Sequence, residues 1–190
     1  LAKLIWKSVT KTVVKAVEGM KWLQEVSSMV CEEGKPVMWT TPMGLPIQQN
    51  YMQVEVHTFW MRFLNTKKRF YVPEETGEIA GRKQTQGIAP NFIHSMDASH
   101  LQWSLNMAVD KGIHHFSMIH DSYATCPSQA DTLFHTVREA FVEMYTKHDV
   151  LAEFREDMEL LISEDKQLPE PPTKGSLDIK EVLESLYMFH

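Results

Sequence analysis

The stretch that decides the fold lies at residues 113–126 and reads Ile-His-His-Phe-Ser-Met-Ile-His-Asp-Ser-Tyr-Ala-Thr-Cys. On either side of His120-Asp121, apolar and polar residues alternate, which is typical of half-buried β-strands. Asp followed by Ser also suits a tight turn. The stretch therefore predicts a hairpin with strands at residues 113–119 and 122–126 and with Asp121 at its tip.

Helices are predicted on both sides of this hairpin. Upstream, Pro90 suits the first position of a helix that runs to about Asp110 and is closed by Gly112. Downstream, apolar residues at three- and four-residue spacing predict a second helix with one apolar face. These residues are Leu133, Phe134, Val137, Ala140, Phe141, Met144 and Tyr145. A shorter acidic helix is expected from Asp149, and Ser176 is expected to cap a last one.

The first half of the chain combines one helix with β-structure. Apolar residues recur at helical spacing between residues 2 and 30, which predicts a single amphipathic helix. Short runs of Val, Trp and Thr separated by Gly and Pro predict strands and hairpins at residues 34–73. Residues 73–87 are expected to form a polar turn and loop. The pattern as a whole indicates an α+β fold.

The net charge of −6 over 190 residues hides a division of the chain. Residues 1–90 contain 12 Lys and Arg against 8 Asp and Glu, whereas residues 91–190 contain 7 against 17. The basic half includes the run Lys67-Lys68-Arg69-Phe70-Tyr71, whose cations and rings suit phosphates and stacked bases. Basic hairpin tips are also common on ordinary protein surfaces, so this run alone leaves both interpretations open.

Several classes of protein are excluded by the sequence. Cys31 and Cys126 are too few for a disulfide scaffold and lack the paired spacing of a zinc site. The longest uncharged stretch is interrupted by three prolines, and lysines occupy the place of a signal-peptide core, so we expect no membrane span and an intracellular protein. Because the chain begins at Leu1 inside a predicted helix, we expect it to be a piece of a longer protein.

Familiar catalytic motifs are also absent. Residues 77–83 lack the glycine spacing and the Lys-Ser/Thr of a P-loop, and no His-Glu-x-x-His occurs. His120-Asp121-Ser122 holds the three residue types of a hydrolase triad. Consecutive strand residues point to opposite faces, however, and so cannot hydrogen-bond in series.

One candidate site remains, formed by Asp121 with His94 and Asp97 on one face of the preceding helix. Mg²⁺ takes only one or two protein carboxylates and completes its shell with water and substrate phosphates. A phosphoryl-transfer site can therefore be built from few residues on separate elements. From spacing alone, simple turn chemistry is the favoured explanation of Asp121.

Two long motifs resemble a known family. The first is Gly-Ile-Ala-Pro-Asn-Phe-Ile-His-Ser-Met-Asp-Ala-Ser-His at residues 87–100, and the second is Phe-Ser-Met-Ile-His-Asp-Ser-Tyr at residues 116–123. Together with Leu-Ala-Lys-Leu-Ile-Trp at residues 1–6 and Lys-Gly-Ser-Leu-Asp at residues 174–178, they resemble the C-terminal part of the single-subunit, phage-type RNA polymerases. Phage and organelle enzymes share this family.

The resemblance implies a fragment of a right-hand polymerase fold, in which a palm-type β-hairpin is flanked by helices and accompanied by a second hairpin. It implies a fingers-region helix at residues 1–33, a β-rich segment with a promoter-specificity-like hairpin at 34–87, a palm segment at 88–167 and a C-terminal foot at 168–190. The terminal Phe189-His190 matches this foot, although His190 departs from the usual ending.

The resemblance also implies residue roles. Asp121 would be one of two carboxylates that hold a catalytic pair of Mg²⁺ ions, and His120 would lie beside the growing RNA 3′ end. His94 would meet the minor groove of the newest base pair. Asn91 and Ser122, which belong to the same two motifs, and Lys67, Lys68 and Arg69 of the hairpin are the remaining candidates for nucleic-acid contact.

The implied partners are double-stranded promoter DNA, the RNA transcript, nucleoside triphosphates and the remainder of a polymerase chain. The family's second metal-binding Asp and its nucleotide-binding helix precede this segment, so we expect the 190 residues alone to be inactive. A location in the cytoplasm of a phage-infected bacterium is favoured over an organelle matrix. Two alternatives stay open: a non-catalytic nucleic-acid-binding remnant, and a relative of the DNA polymerases.

Overall fold

The computed structural model describes residues 2–119, 122–185 and 187–188. Along the described residues, two α-helices are followed by four strands, a long α-helix, two strands and two further α-helices. The helices are α1 (Ala2–Thr12), α2 (Val14–Glu32), α3 (Gly81–Asp110), α4 (Ala130–Lys147) and α5 (Val150–Glu159). The strands are β1 (Val37–Thr40), β2 (Pro46–Gln49), β3 (Met52–Phe63), β4 (Thr66–Ile79), β5 (Phe116–Ile119) and β6 (Ser122–Thr125). Two short 3-10 helices are Pro127–Gln129 and Ile179–Glu184. The mixed helix and sheet content confirms the α+β prediction.

Within the described residues the strands form three separate antiparallel pairs, β1–β2, β3–β4 and β5–β6. In the long pair, Phe63 lies opposite Thr66, and the two connecting residues, Leu64 and Asn65, have φ angles of 45° and 60°. Positive φ at both positions is what a two-residue hairpin connection needs to match the twist of its strands. The hairpins expected at residues 34–73 are therefore confirmed, and β3–β4 is longer than expected.

The main core is built around aromatic rings. Phe154 of α5 makes edge-to-face contacts with Trp22 of α2, Trp39 of β1 and Phe92 of α3, with ring centroids 5.1–6.0 Å apart. All four side chains are at most 5% exposed. Edge-to-face packing adds to the free energy gained by burying the rings. The cluster therefore joins α2, β1, α3 and α5, which lie at different positions in the sequence, into one core.

The structure corrects the predicted start of the central helix. Helix α3 begins at Gly81 and continues through Pro90, so residues 81–87 are helical where a loop was expected. No side chain caps its N-terminus; instead, the first turn is held by the buried amide of Gln84, which donates to the carbonyl of Gln49 over 2.6 Å. This tertiary contact outweighs the tendency of proline to begin a helix rather than lie within one. The expected end at Asp110 and the closing Gly112, with φ 83°, are confirmed.

Residues 73–79 were also wrongly expected to be a loop, since they belong to β4. The strand register shifts between Met52 and Val54, and Gly77 on the facing strand has φ 78°. A glycine in the left-handed region lets a strand accommodate extra residues as a bulge. Gly77 therefore marks an irregularity within a strand.

Two further expectations about helices were wrong. The N-terminal helix is two helices, α1 and α2, divided at Val13 with φ −109° and ψ 59°. The last short helix is capped by Asp178, whose carboxylate accepts from the amide of Lys180, rather than by Ser176. The apolar face of α4 and the start of α5 at Asp149 are confirmed. Within the described residues, no helix combines the length and apolar character needed to cross a membrane.

Candidate nucleic-acid interface and active-site hairpin

The hairpin predicted at residues 113–126 is present as the β5–β6 pair, although its first strand begins at Phe116 and not at residue 113. Ile119 lies opposite Ser122, and the pairing continues to Phe116 opposite Thr125. Phe116 and Met118 are half-buried whereas Ser117 and Ile119 are exposed, as the alternation predicted. His120 and Asp121, the predicted catalytic residues, lie outside the described residues. Their flanking strands, however, are paired right up to them.

Beneath the hairpin lies a second, smaller core. Phe116 of β5 and Tyr123 of β6 pack on a buried cluster of Ala108, Ile113, Leu133 and Val137. These residues come from the end of α3, the segment after it and α4. The hairpin is therefore supported from below by both flanking helices, and this support leaves exposed the strand face that carries Ser122.

His100 of α3 connects three elements under the hairpin. Its Nε2 lies 2.9 Å from the Val137 carbonyl of α4 and 3.2 Å from Ser104 Oγ, and its Nδ1 lies 3.4 Å from the Tyr123 hydroxyl of β6. A carbonyl can only accept, so Nε2 carries the proton and Nδ1 is left as an acceptor for the tyrosine. Burial lowers the pKa of His100, which favours this neutral form, and the Val137 carbonyl and Asp97 partly oppose the shift.

Asp97 also influences a tyrosine of helix α4 through its charge. Burial, aided by the negative charge of Asp97, raises the pKa of Tyr145 in α4 to about 12. His94 and Asp97 both lie on α3, the helix on which the sequence predicted them, and both are exposed. The negative charge of Asp97 thus acts on ionisable side chains of both α3 and α4.

Asn91 is already held by protein groups. Its amide nitrogen donates to Gln49 Oε1 over 2.8 Å and to the Tyr51 hydroxyl over 3.1 Å. Gln49 in turn donates to the carbonyl of Gln84 and to its side-chain oxygen, over 2.8 and 2.7 Å. Sequence reasoning did not identify Gln49, Tyr51 or Gln84, because no pattern shows that polar side chains from β2 and α3 will meet.

The β3–β4 hairpin is exposed along nearly its whole length. Because alternate residues share a face, the register places two different surfaces back to back. One, here called the basic-aromatic face, carries Trp60, Arg62, Lys67, Arg69 and Tyr71. The opposite face carries Phe59, Met61, Phe63, Lys68 and Phe70, with the Phe59 and Phe70 rings stacked 5.6 Å apart. The three predicted cations are therefore divided, with Lys68 on the other side.

Cations and rings interact within the basic-aromatic face. Lys67 Nζ lies 4.8 Å from the centroid of the Trp60 ring, and the Arg69 guanidinium lies 5.8 Å from Trp60 and 5.1 Å from Tyr71. Each distance is within the range of a cation–π interaction. Trp60 is nevertheless 58% exposed, so its ring remains accessible to a base.

The C-terminal segment is fastened to α4 and α5. Arg138 of α4 is buried; its Nε donates to the Ser185 carbonyl over 3.1 Å, and its guanidinium lies 3.4 Å from the centroid of the Phe134 ring. Lys174 Nζ forms an ion pair with Asp149 over 2.6 Å, which lowers the pKa of that carboxyl. Phe189 and His190, which match the family's foot, lie outside the described residues.

Among the residues that the structure describes, no group of three or more His, Cys, Asp or Glu side chains is placed to hold a metal ion. The predicted ligand Asp121 is not among them. Its residue type fits Mg²⁺, which prefers hard carboxylate oxygens and needs only one or two from the protein. The paired strands on both sides of residues 120–121 also give this connection a fixed base.

The chain is similar to known polymerases along its whole length. A family model described as DNA-dependent RNA polymerase matches residues 1–168. T7 RNA polymerase of Escherichia phage T7 is 38% identical over 207 residues, and the DNA-directed RNA polymerase of Enterobacteria phage K11 is 38% identical over 206 residues. DNA-directed RNA polymerase 1, mitochondrial, of Nicotiana sylvestris is 33% identical over 175 residues.

These alignments cover nearly all of this chain but only a small part of each relative. The phage alignments cover 100% of this chain and 23% of the relatives, and the mitochondrial alignment covers 90% of this chain and 16% of the relative. This chain therefore spans about 23% of the length of its phage relatives. The residues matched by the family model include both motifs, at 87–100 and 116–123. The chain belongs to the phage-type family of DNA-dependent RNA polymerases.

Proposed function

We propose that this chain forms the C-terminal part of a single-subunit DNA-directed RNA polymerase and contributes to template-directed nucleotidyl transfer. The observation that carries the proposal is the family match over residues 1–168, within which the His-Asp motif lies between two paired strands. The fold supports this reading, because a small buried core holds those strands on helices α3 and α4. We assign β5–β6 to the palm and the segment boundaries 1–33, 34–87, 88–167 and 168–190 to the polymerase subdomains, although the boundary at 87/88 falls within helix α3.

In the proposed reaction the RNA 3′-hydroxyl attacks the α-phosphate of a nucleoside triphosphate. A new phosphodiester bond forms, the bond between the α- and β-phosphates breaks, the hydroxyl proton is lost, and pyrophosphate leaves. Asp121 would hold Mg²⁺, which when bound lowers the pKa of the attacking hydroxyl and stabilises charge on the transferring phosphate. His120 would lie beside the RNA 3′ end, and Ser122, exposed at the start of β6, would contact the nucleic acid. With one of two required carboxylates, the 190 residues alone would not extend a primer.

The exposed side of α3 would meet the newest base pair. His94 is exposed on this helix, and the minor groove presents acceptors that all Watson–Crick pairs share. A single neutral imidazole can donate to them without choosing between bases. Asn91 lies one turn earlier, with its amide nitrogen bonded to Gln49 and Tyr51. We therefore expect Asn91 to contribute mainly by shaping this surface.

The β3–β4 hairpin would contact promoter DNA through its basic-aromatic face. Cations supply attraction to phosphates, which dominates nucleic-acid affinity and makes it salt-dependent. The exposed rings of Trp60 and Tyr71 supply surfaces on which bases can stack. The hairpin is free on both faces over its length, as a segment inserted into or against a duplex must be.

The proposed partners are promoter DNA, RNA, ribonucleoside triphosphates and the rest of a polymerase chain. The most similar of the relatives named above are phage proteins, which supports the cytoplasm of an infected bacterium as the place of action.

The test is nucleotide choice by the complete protein. A purified full-length polymerase containing this segment should extend an RNA primer on a DNA template with ribonucleotides and Mg²⁺, and far less with deoxyribonucleotides. Preference for deoxyribonucleotides would instead support a DNA polymerase relative. Absence of any incorporation, with retained binding of DNA, would support a non-catalytic remnant.

The remnant is kept as a second candidate because the basic-aromatic face needs neither metal nor nucleotide to bind DNA. Gel shifts of the 190-residue chain at several salt concentrations measure this binding directly. Binding as strong in this chain as in the complete protein would favour the remnant.

A further inference from the structure

The β3–β4 hairpin joins the neighbouring elements of the described chain at a junction formed by Tyr51 and Ala80. Tyr51 immediately precedes β3 and Ala80 immediately follows β4. The Ala80 amide donates to the Tyr51 carbonyl over 2.9 Å, which closes the base of the hairpin. The Ala80 carbonyl then accepts from the amides of Lys83 and Gln84 at the start of α3. The hairpin base and the first turn of α3 therefore form one hydrogen-bonded unit.

The Tyr51 side chain extends this junction along α3. A Cβ atom at Gly87 would lie only 2.8 Å from Tyr51 Cε2 and 3.4 Å from the Tyr51 hydroxyl, so the ring occupies space that any side chain at Gly87 would need. The same hydroxyl accepts from the Asn91 amide over 3.1 Å. Tyr51 thus contacts α3 at two positions one turn apart.

These contacts lie on the helix face that carries His94. Gly87, Asn91 and His94 are spaced as i, i+4 and i+7, which places them on one face of an α-helix. Tyr51 covers the first two, and His94 continues the row with an exposed side chain. The base of the hairpin is therefore fixed directly to the row that ends in the candidate minor-groove contact.

We propose that Tyr51 is a positioning residue that couples the hairpin to the His94 face of α3. This inference rests on the proposed function. It holds that DNA bound along the hairpin is aligned with the nucleic acid at α3 through the Tyr51–Gly87–Asn91 contact. Without this contact, the hairpin and the His94 face of α3 can each still bind nucleic acid. Their relative orientation, however, is no longer fixed. Promoter-dependent initiation, which uses both surfaces together, should then suffer more than extension of an RNA already paired with its template.

The experiment uses the full-length polymerase with Tyr51→Phe, which removes the hydroxyl that accepts from Asn91 and retains the ring. Four quantities are measured: the Kd for promoter DNA, kcat and KM for promoter-dependent initiation, and the extension rate on a pre-annealed RNA–DNA scaffold. We expect kcat for initiation to fall about three- to tenfold, the effect typical of one lost hydrogen bond. We expect the Kd and the scaffold extension rate to change less than about twofold, which is smaller than the effect of that bond.

Gly87→Ala provides a second variant, because its methyl group displaces the Tyr51 ring. Gly19→Ala is the matched control, since nothing lies within 4 Å of the added carbon there. Gly87→Ala should reproduce the defect of Tyr51→Phe, and the double variant should add little to either. If Gly87→Ala fails to fold, the comparison of initiation with scaffold extension in Tyr51→Phe still tests the proposal.

Two results would overturn the coupling role. Equal loss of initiation and scaffold extension in Tyr51→Phe would assign Tyr51 to general stability. Unchanged initiation in that variant would show that the contact does not align the two surfaces. Failure of the proposed function would be recognised separately, because the unsubstituted full-length protein would then neither initiate at a promoter nor extend the scaffold.

Discussion

At the scale of single residues, His100 shows how the structure supports the β5–β6 hairpin. Its two ring nitrogens face the Val137 carbonyl and the Tyr123 hydroxyl, so the neutral imidazole fits both neighbours. A protonated ring would place a second N–H against the tyrosine hydroxyl and a charge in a buried site. His100 therefore holds α3, α4 and β6 together best in its neutral form.

This environment predicts a pH dependence of stability. The ordinary His pKa is 6.5 and burial lowers the pKa of folded His100. Below pH 6.5 the unfolded chain takes up a proton that the folded chain resists, so the free energy of unfolding should fall as pH decreases from 6.5 toward the lowered folded-state pKa. Above pH 6.5 this contribution is fully present.

Urea titrations of the 190-residue chain between pH 7.5 and 5 would measure this dependence. His100→Gln removes the titrating group, so its free energy of unfolding should vary less with pH than that of the unsubstituted chain. His94→Gln, at an exposed position, is the control and should leave the slope nearly unchanged. An identical slope for His100→Gln and the unsubstituted chain would refute the prediction.

The residues of the site were predictable to different degrees. The pattern placed Asp121 between two strands, and the resemblance supplied roles for it and for His120 and His94. Nothing in the sequence showed that Gln49 and Tyr51 would bond to α3, because a buried polar contact depends on which elements meet in space. The hydrogen-bonding partners of His100 were missed for the same reason.

At the scale of elements, the β3–β4 hairpin separates charges that the sequence places side by side. Lys67 and Arg69 share the basic-aromatic face with Trp60 and Tyr71, and Lys68 lies on the opposite face. The basic-aromatic face has the cations and rings that suit a nucleic acid. Lys67 and Arg69 should therefore contribute together to binding of promoter DNA.

The salt dependence of binding tests this arrangement. Each phosphate contact contributes about 0.9 to the slope of log K against log salt concentration on duplex DNA. The double variant Lys67→Ala/Arg69→Ala of the full-length polymerase should therefore reduce the slope by about two. Lys180 is an exposed lysine near the C-terminal end of the chain, and Lys180→Ala should leave this slope unchanged.

Lys68→Ala is measured beside these variants. Loss of about one unit of slope would show that both faces of the hairpin contact phosphates. An unaltered slope in the Lys67→Ala/Arg69→Ala variant would contradict the assignment of the basic-aromatic face.

Helix α3 shows why element boundaries were harder to predict than element types. Pro90 favoured a helix start and the polar residues 73–87 favoured a loop, and both inferences were locally sound. The helix instead begins at Gly81, because the buried Gln49–Gln84 contacts hold its first turns. Local sequence signals cannot register a contact made across 35 residues of chain.

At the scale of the whole molecule, Phe154 connects distant parts of the chain. Its ring contacts Trp22, Trp39 and Phe92, which belong to α2, β1 and α3. Removing it would leave a cavity bordered by all three elements. Phe154→Ala should therefore lower the free energy of unfolding by about 3–5 kcal/mol.

Leu160→Ala is the control for this substitution, because Leu160 directly follows α5 and its side chain is 81% exposed. Its effect should stay within about 0.5 kcal/mol. Urea titration of both variants and of the unsubstituted chain gives the comparison. A loss below about 1 kcal/mol for Phe154→Ala would show that the core closes without this ring.

The charge of the whole molecule matters less than its distribution. The total of −6 combines a half with more basic than acidic residues and a half with ten more acidic than basic ones. The hairpin with its basic-aromatic face lies in the first half and Asp121 in the second. A negative total is thus compatible with a polymerase segment that binds nucleic acid, because contact depends on the local surface.

The most direct test of the central claim is primer extension by the full-length polymerase carrying Asp121→Asn. Asp110→Asn, which changes an exposed carboxylate at the end of α3, is the matched control. On a pre-annealed RNA–DNA scaffold with Mg²⁺, Asp121→Asn should lower the extension rate at least about a thousandfold, since a metal-holding carboxylate supports several kcal/mol of transition-state stabilisation. The Kd for promoter DNA should change less than about twofold, because the basic-aromatic face is intact. An extension rate within about tenfold of the Asp110→Asn control would contradict the assignment of Asp121 to the catalytic site.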